Sequence, residues 1–300
     1  MGKTKSKILV GLLALLLCVP AAAFAADTVV SADWLQANLS KVATVDIRKV
    51  EDYNAGHVPG AINVFYGVWA IQKAGLLNEL PADDDLRDSL SAAGIEPTTT
   101  VVVVGSTANM AEKANNTRVG WTLKYAGVGS VAVLDGGMEK WVAAGKPVSK
   151  DAVKPKAKPY RGAFNKAVLA SKAYILSSIG KAAIVDVREP DFYSGAKKLD
   201  FVARPGHLKG AVNLPTAAAY NDDGTFKPMA DLEAMAKKAV GDDKGKEIIV
   251  YCDSGRVASI WWYLLSQSMG YTNVKHFSGG IKGWKAADEK LEAAEGSKEK

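Results

Sequence analysis

The chain contains itself twice, and that repeat limits the possible folds more than any other feature. VATVDIRKVEDYNAGHVPGAINV (residues 42–64) matches AAIVDVREPDFYSG (182–195) followed by GHLKGAVNL (206–214). VVVVG (101–105) matches IIVYC (248–252), and SVAVLDGGMEKW (130–141) matches NVKHFSGGIKGW (273–284). Three blocks in one order, offset by about 140 to 150 residues, mark two homologous domains. The sequence places them at 27–148 and 167–292. Between them, 149–166 is rich in Pro and Lys and has no apolar period, which predicts an exposed, stiff linker. The polar end 293–300 reads as a disordered, fraying tail.

Each copy alternates short β-rich runs with helical patterns. In the second, AAIVDV, EIIVYC and NVKHF read as strands. PMADLEAMAKKAV, RVASIWWYLLSQSMG and GGIKGWKAADEKL read as helices, the middle one stopped by Gly270. Strands separated by helices need crossover connections, so the expected class is α/β, each domain a mainly parallel sheet with helices on both faces. Ligands of such sheets sit beyond the carboxyl ends of the strands.

The first residues follow a different rule. Lys3, Lys5 and Lys7 precede an apolar run from Ile8 to Val19, and Ala23-Phe24-Ala25 forms an A-x-A site. This is the layout of a secretory signal peptide over 1–25, implying export, in a bacterium to the periplasm. The alternative is an N-terminal anchor, but the run is shorter than the ~20 residues a spanning helix needs. Cys18 invites a lipoprotein reading, which bulky Leu17 disfavours. With the leader removed, the formal charge of +6 loses three lysines. The remainder is small and scattered, which argues against a nucleic-acid partner. The mature chain then holds one cysteine, Cys252. An unpaired cysteine in an exported protein suggests a reactive thiol.

Cys252 falls where the most apolar strand of its domain gives way to a helix. In Cys252-Asp253-Ser254-Gly255-Arg256-Val257 a tight loop turns backbone N–H groups inward, and the helix opening near Ala258 adds its own. Gly255 permits the turn. The sum predicts an anion cradle around the sulfur, a thiol pKa below the free value of about 8.5, and an ionised cysteine open to solvent. Arg256 adds positive charge at the rim. Asp253 opposes it unless it faces solvent or pairs with Arg256.

These residues resemble the tandem-domain rhodanese sulfurtransferases, in an exported form. The resemblance rests on Asp186-Val187-Arg188-Glu189, on Gly206 to Asn213 and on the loop from Tyr251 to Arg256. In the first copy it rests on Asp46-Ile47-Arg48, on Gly56 to Asn63 and on Leu134 to Gly137. It implies a sulfurtransferase in which Cys252 takes a sulfane sulfur from a small anionic donor, becomes a persulfide and passes the sulfur to cyanide or a thiol, with a protein acceptor also open. No cofactor is implied, no metal-ligand cluster is visible, and no span remains after the leader. Arg256 would bind a dianionic donor such as thiosulfate; in the resembling families a basic loop goes with thiosulfate and a neutral one with 3-mercaptopyruvate, and because Asp253 and Arg256 cancel here, 3-mercaptopyruvate stands as the alternative donor. Arg204 and Lys209 could assist if the Gly206 loop lies near the cysteine.

A cysteine phosphatase of related fold is a competing class, but it places five residues between its Cys and an Arg, where this chain has Ala258. A third class is a non-catalytic persulfide carrier. The first copy has Gly105 in place of the cysteine and reads as catalytically silent, with Asn109 and Arg118 as residues that could reach a cleft between domains. His57 and His207, repeated in both copies, read as structural, as do Asp46, Arg48, Asp186 and Arg188. Trp141, Trp261, Trp262 and Trp284 read as core.

Overall fold

A computed structural model describes residues 27–284. The expected leader (1–25), the tail (293–300) and the end of the closing helix beyond Trp284 lie outside the described residues.

The first half runs β1 (Val29–Val30), α1 (Ala32–Asn38), β2 (Ala43–Asp46), α2 (Val50–Ala55) and β3 (Ile62–Asn63). A hairpin follows, β4 (Ile71–Lys73) and β5 (Leu76–Glu79), then α3 (Asp83–Ala92), β6 (Thr100–Val104), α4 (Met110–Ala126), β7 (Ser130–Leu134) and α5 (Gly137–Ala143). The second half runs α6 (Lys172–Ser178), β8 (Ala183–Asp186), α7 (Pro190–Tyr193), β9 (Val212–Asn213), α8 (Met229–Val240), β10 (Ile248–Tyr251), α9 (Ala258–Tyr263) and β11 (Val274–His276). The sheet orders are β1-β7-β6-β2-β3 and β11-β10-β8-β9. Every pairing in both sheets is parallel, which confirms the α/β class. Among the described residues, no helix is long and apolar enough to cross a membrane.

The central strands follow from composition. Thr100–Val104 and Ile248–Tyr251 are buried at every position, as strands covered on both faces must be. Matching caps start matching helices: Ser31 accepts the Trp34 N–H and Ser171 the Tyr174 N–H, each at 3.1 Å. The helix expected over 256–270 departs from regularity. After Tyr263 the chain widens into a π-turn over Leu264–Ser268, and Gly270 ends it with φ +74°. The closing segment forms only a short 3-10 turn, Ile281–Gly283, within the described residues.

The halves share one core, which joins Val45, Leu86 and Trp121 to Val185, Val250 and Trp262. Helices α4 and α9 meet at its centre. Thr117 Oγ1 lies 2.9 Å from Ser259 Oγ, and Trp121 meets Trp262 edge-on at 6.3 Å. The Tyr263 hydroxyl sits 2.8 Å from the carbonyl oxygens of both Thr28 and Val131. Gly120 lets the two helices approach: a Cβ there would stand 2.8 Å from the Tyr263 ring.

The segment 149–166 is mostly exposed, but it is no free spacer. Ser149 and His57 exchange backbone hydrogen bonds of 2.9 Å, and the Lys158 N–H donates to Ser91 O. Tyr160 is buried, with its hydroxyl on Ala126 O at 2.7 Å. One aromatic side chain is enough to bind a polar stretch to a core, and the lack of an apolar period hides it.

The α4–α9 contact yields a test. Gly120→Ala should destabilise the protein by about 1–3 kcal/mol through overpacking against Tyr263. Urea unfolding should show a lower midpoint with an unchanged slope; an unaltered midpoint would show that the interface is slack.

Candidate active site

Cys252 directly follows β10, and three backbone N–H groups, those of Ser254, Ala258 and Gly255, favour an anion on its sulfur. The loop is clamped from behind by the turn after β11. The Ile281 N–H donates to Cys252 O at 3.0 Å and the Lys282 N–H to Asp253 O at 2.9 Å. Gly255 adopts φ +72°, and a Cβ there would strike Ser278 O. Gly280 adopts φ +55°, and its Cβ would come within 2.5 Å of Cys252 O. Only glycine tolerates both the left-handed backbone and the missing space.

The sulfur departs from the sequence expectation in two respects. Cys252 is 1% exposed rather than open to solvent. Its pKa is raised, not lowered: burial is the largest cause and Asp253 adds to it, outweighing the three N–H groups. The cradle exists, but α9 has only six residues and the thiol has lost its water. Burial therefore favours the neutral thiol over the thiolate in the resting protein. Access is through a cavity of about 300 Å³ lined by Cys252, Asp253, Ser254, Arg256 and Val257 and, opposite, by Leu77, Asn78, Leu199 and Phe201.

Asp253 pairs with Arg188 rather than with Arg256. Its carboxylate accepts Arg188 Nη1 at 2.9 Å, and the same guanidinium grips Asp186 (Nε–Oδ1 3.0 Å, Nη2–Oδ2 2.7 Å) and Gly206 O. Burial works against the Arg188 cation, but Asp186 and Asp253 hold it above its usual range. Burial also pushes the Asp253 carboxyl up, with Arg188 opposing. Arg188 is therefore structural, as its repetition suggests, and also reaches the loop. Its counterpart Arg48 binds Asp46 and Gly56 O in the same manner, with Ser106 at the place of Asp253.

Arg256 lines the cavity. Its Nε donates to Asn78 Oδ1 at 3.2 Å, and its guanidinium lies 5.6 Å from the Tyr66 ring centre. Asn78 Nδ2 in turn reaches Ser254 O (3.1 Å) and Ser254 Oγ (3.3 Å). Val257 borders the cavity and Ala258 is fully buried at the start of α9. Arg204 and Lys209 are exposed and stand outside the residues lining this cavity. Asn109 is spent as the exposed cap of α4, accepting the Glu112 N–H at 3.0 Å, whereas Arg118 lies buried between the halves.

Asn78 and Tyr66, both from the first half, escaped the sequence reading as site residues, whereas Arg118 was named there as able to reach the cleft. The hairpin carries little sequence signal, because its two-residue turn is Ala74-Gly75, and Ala74 adopts a positive φ (+50°) that Asn, Asp or Gly would take more readily. Its placement over the other half's loop carries none.

The first half's equivalent loop is blocked. A Cβ on Gly105 would meet Asn116 Oδ1 and stand 2.9 Å from Ile47 Cγ1. Ser106 Oγ lies 2.5 Å from both Glu112 Oε2 and Glu139 Oε1, so carboxylates border the place where an anion would rest. The two repeated histidines are architectural. His57 stacks on Tyr53 at 3.8 Å and His207 on Tyr193 at 3.9 Å, each with Nδ1 at a backbone carbonyl.

Comparison with known proteins agrees with this architecture. The family model of the rhodanese-like domain matches residues 31–144 and 170–287. A Mycobacterium leprae protein that carries the provisional name thiosulfate sulfurtransferase is 34% identical over 270 residues, spanning 84% of this chain and 92% of that one. A sulfur carrier protein, TtuD, of Thermus thermophilus is 32% identical over 279 residues, spanning 86% and 93%. The anaerobic ergothioneine biosynthesis enzyme of Chlorobium limicola, solved with trimethyl histidine, shares the fold with a TM-score of 0.77 at 21% identity, over 89% of this chain and 70% of that one.

Two tests follow. Alkylation of Cys252 by iodoacetamide should rise with pH through a midpoint above the ordinary thiol value of about 8.5, because burial favours the neutral form. A rate already flat at pH 6 would contradict that assignment. Gly105→Cys in a Cys252→Ser background should gain no sulfur from a sulfane donor, since Asn116 occupies the site; sulfur uptake seen by intact mass would show that the first loop is open.

Proposed function

The chain belongs to the rhodanese-like family, and on that premise we propose that it moves a sulfane sulfur from thiosulfate to a thiophilic acceptor through a persulfide on Cys252. One observation carries the reading: a lone sulfur at the floor of a cavity receives three backbone N–H groups, with Arg256 on the wall. The resting thiol gives its proton to solvent, and the Cys252 thiolate so formed attacks the outer sulfur of thiosulfate. The S–S bond breaks and sulfite leaves with its electron pair, so no general acid is needed. The persulfide keeps the single negative charge that the thiolate brought. Cyanide or a thiolate then removes the outer sulfur and regenerates Cys252, a two-step covalent cycle. The N–H groups serve the terminal sulfur as an oxyanion hole serves oxygen.

Arg256 is the donor-binding cation in this reading. The charge of Arg188 is already matched by Asp186 and Asp253, whereas Arg256 meets only the neutral Asn78 and the face of Tyr66 among its described contacts. A fixed positive charge at the rim suits the thiosulfate dianion better than the monoanionic 3-mercaptopyruvate. A second reading, a persulfide carrier that serves a protein acceptor, is favoured by the mouth, where Leu199 and Phe201 are 37% and 41% exposed. We place the reaction outside the cytoplasm because of the leader-like residues 1–25.

Incubation with thiosulfate and intact mass measurement should show a gain of one sulfur atom, absent in Cys252→Ser; no gain from thiosulfate but a gain from 3-mercaptopyruvate would reassign the donor. Arg256→Ala should lower kcat/KM for thiosulfate about ten- to hundredfold, chiefly through KM, as expected for loss of a charge-assisted contact. An unchanged KM would remove Arg256 from donor binding. Stoichiometric loading without steady-state turnover on cyanide or small thiols would favour the carrier.

A further inference from the structure

Arg118 is a buried charge that the reaction above does not use. It lies on α4 of the first half and is 0% exposed. Nη2 donates to the backbone oxygen of Asn78, and the guanidinium sits 4.1 Å from the Trp121 ring centre. Nε and Nη1 have no hydrogen-bond partner. Burial brings its pKa down to about 10, so it stays protonated at neutral pH. A buried cation with two idle donors is costly unless an opposite charge answers it.

Through Asn78, Arg118 is tied to Ser254 of the cysteine loop, and four titratable groups are near enough to share its field: Tyr66 from the turn after β3, Glu79 on β5, Cys252 after β10 and His276 on β11. Burial and the Arg118 charge push His276 well below its ordinary range, so it is neutral. Burial pushes Tyr66 up, and it too is neutral. Glu79 is an incomplete answer, because its Oε1 is itself buried without a partner and burial raises its carboxyl. The remaining candidate for a full negative charge is the sulfur on Cys252.

We propose that Arg118 is the counter-charge of the Cys252 sulfur anion, supplied across the interface by the half that has no cysteine. Building on the persulfide reading above, the charge becomes lasting on loading: the thiol gives its proton to solvent before it attacks, and because a persulfide is a stronger acid than its parent thiol, the loaded group keeps the negative charge where the empty one takes the proton back. No proton passes to or from the guanidinium. Asn78 fixes the arrangement, with its backbone oxygen on Arg118 and its side chain on Ser254, so the cation and the cradle are held by one residue. Arg118 is a positioning residue that acts through the field at the sulfur.

The test uses the full-length chain with Arg118→Met and Arg118→Lys. In sulfur-free protein the pH midpoint of Cys252 alkylation by iodoacetamide should rise by one unit or more in Arg118→Met, a tenfold loss of rate at neutral pH, and should largely return in Arg118→Lys. A folded Arg118→Met protein with the wild-type midpoint overturns the proposal, and means that Glu79 alone answers the charge. If Arg118→Met does not fold, the wild type decides. Loading Cys252 with sulfur from inorganic polysulfide at pH 7 should raise its Tm, and an equal or lower Tm overturns the proposal. Neither arm uses thiosulfate, so a failure of thiosulfate as donor is read separately from a failure of Arg118.

Discussion

The cysteine loop depends on a side chain from the other half of the molecule. Asn78 holds Ser254 through its amide nitrogen, takes hydrogen bonds from Arg256 and Tyr66 on its amide oxygen, and accepts Arg118 on its backbone. It does so from a left-handed backbone, φ +54°, which asparagine tolerates better than most residues. The contact is half of a reciprocal arrangement. The turn at Asn221–Phe226 of the second half reaches back over the silent loop of the first: Phe226 donates to Asp135, and Gly224 passes close to Thr107 Oγ1. Each half covers the other's loop, and only one loop carries a sulfur. The common core between α4 and α9 keeps the two covers in register.

The repeat in the sequence also explains why two Gly-Gly pairs are spaced as they are. Gly137 abuts the oxygen of Gly105 as Gly280 abuts that of Cys252, and the residue after each donates to the same oxygen, Met138 at 2.9 Å and Ile281 at 3.0 Å. Parallel sheets, the loop at a strand's carboxyl end and the role of Gly255 were legible because they follow from local pattern and steric need. The placement of Asn78 was not, since packing of one half on the other leaves no periodic trace, and Arg118 was expected at the cleft without its contact to Asn78. Arg204 and Lys209 show the converse: nearness in sequence to a repeated motif does not place a side chain in a cavity.

The sulfur's electrostatics depend on which of two opposing effects is larger. Inward N–H groups favour an anion, and a helix start is the usual place to find them. Burial disfavours the same anion and here it is the larger effect for the empty site. The sequence could show the donors but not the burial, because the cavity before Cys252 is walled by Leu77 and Asn78 of the hairpin and by Leu199 and Phe201 of a separate loop, all distant in sequence. Such a site suits a group that is neutral at rest and charged when loaded, and the polar contacts around Cys252 have that character.

The central claim is that backbone amides at the Cys252 loop hold a transferred sulfur. A crystal structure of the protein soaked with thiosulfate tests it most directly. The account predicts one extra sulfur bonded to Cys252 Sγ, within hydrogen-bond reach of the Ser254, Gly255 and Ala258 N–H groups, with Asn78 still bridging to Ser254. An unmodified Cys252, or a bound sulfur turned away from those amides toward the cavity mouth, would contradict it.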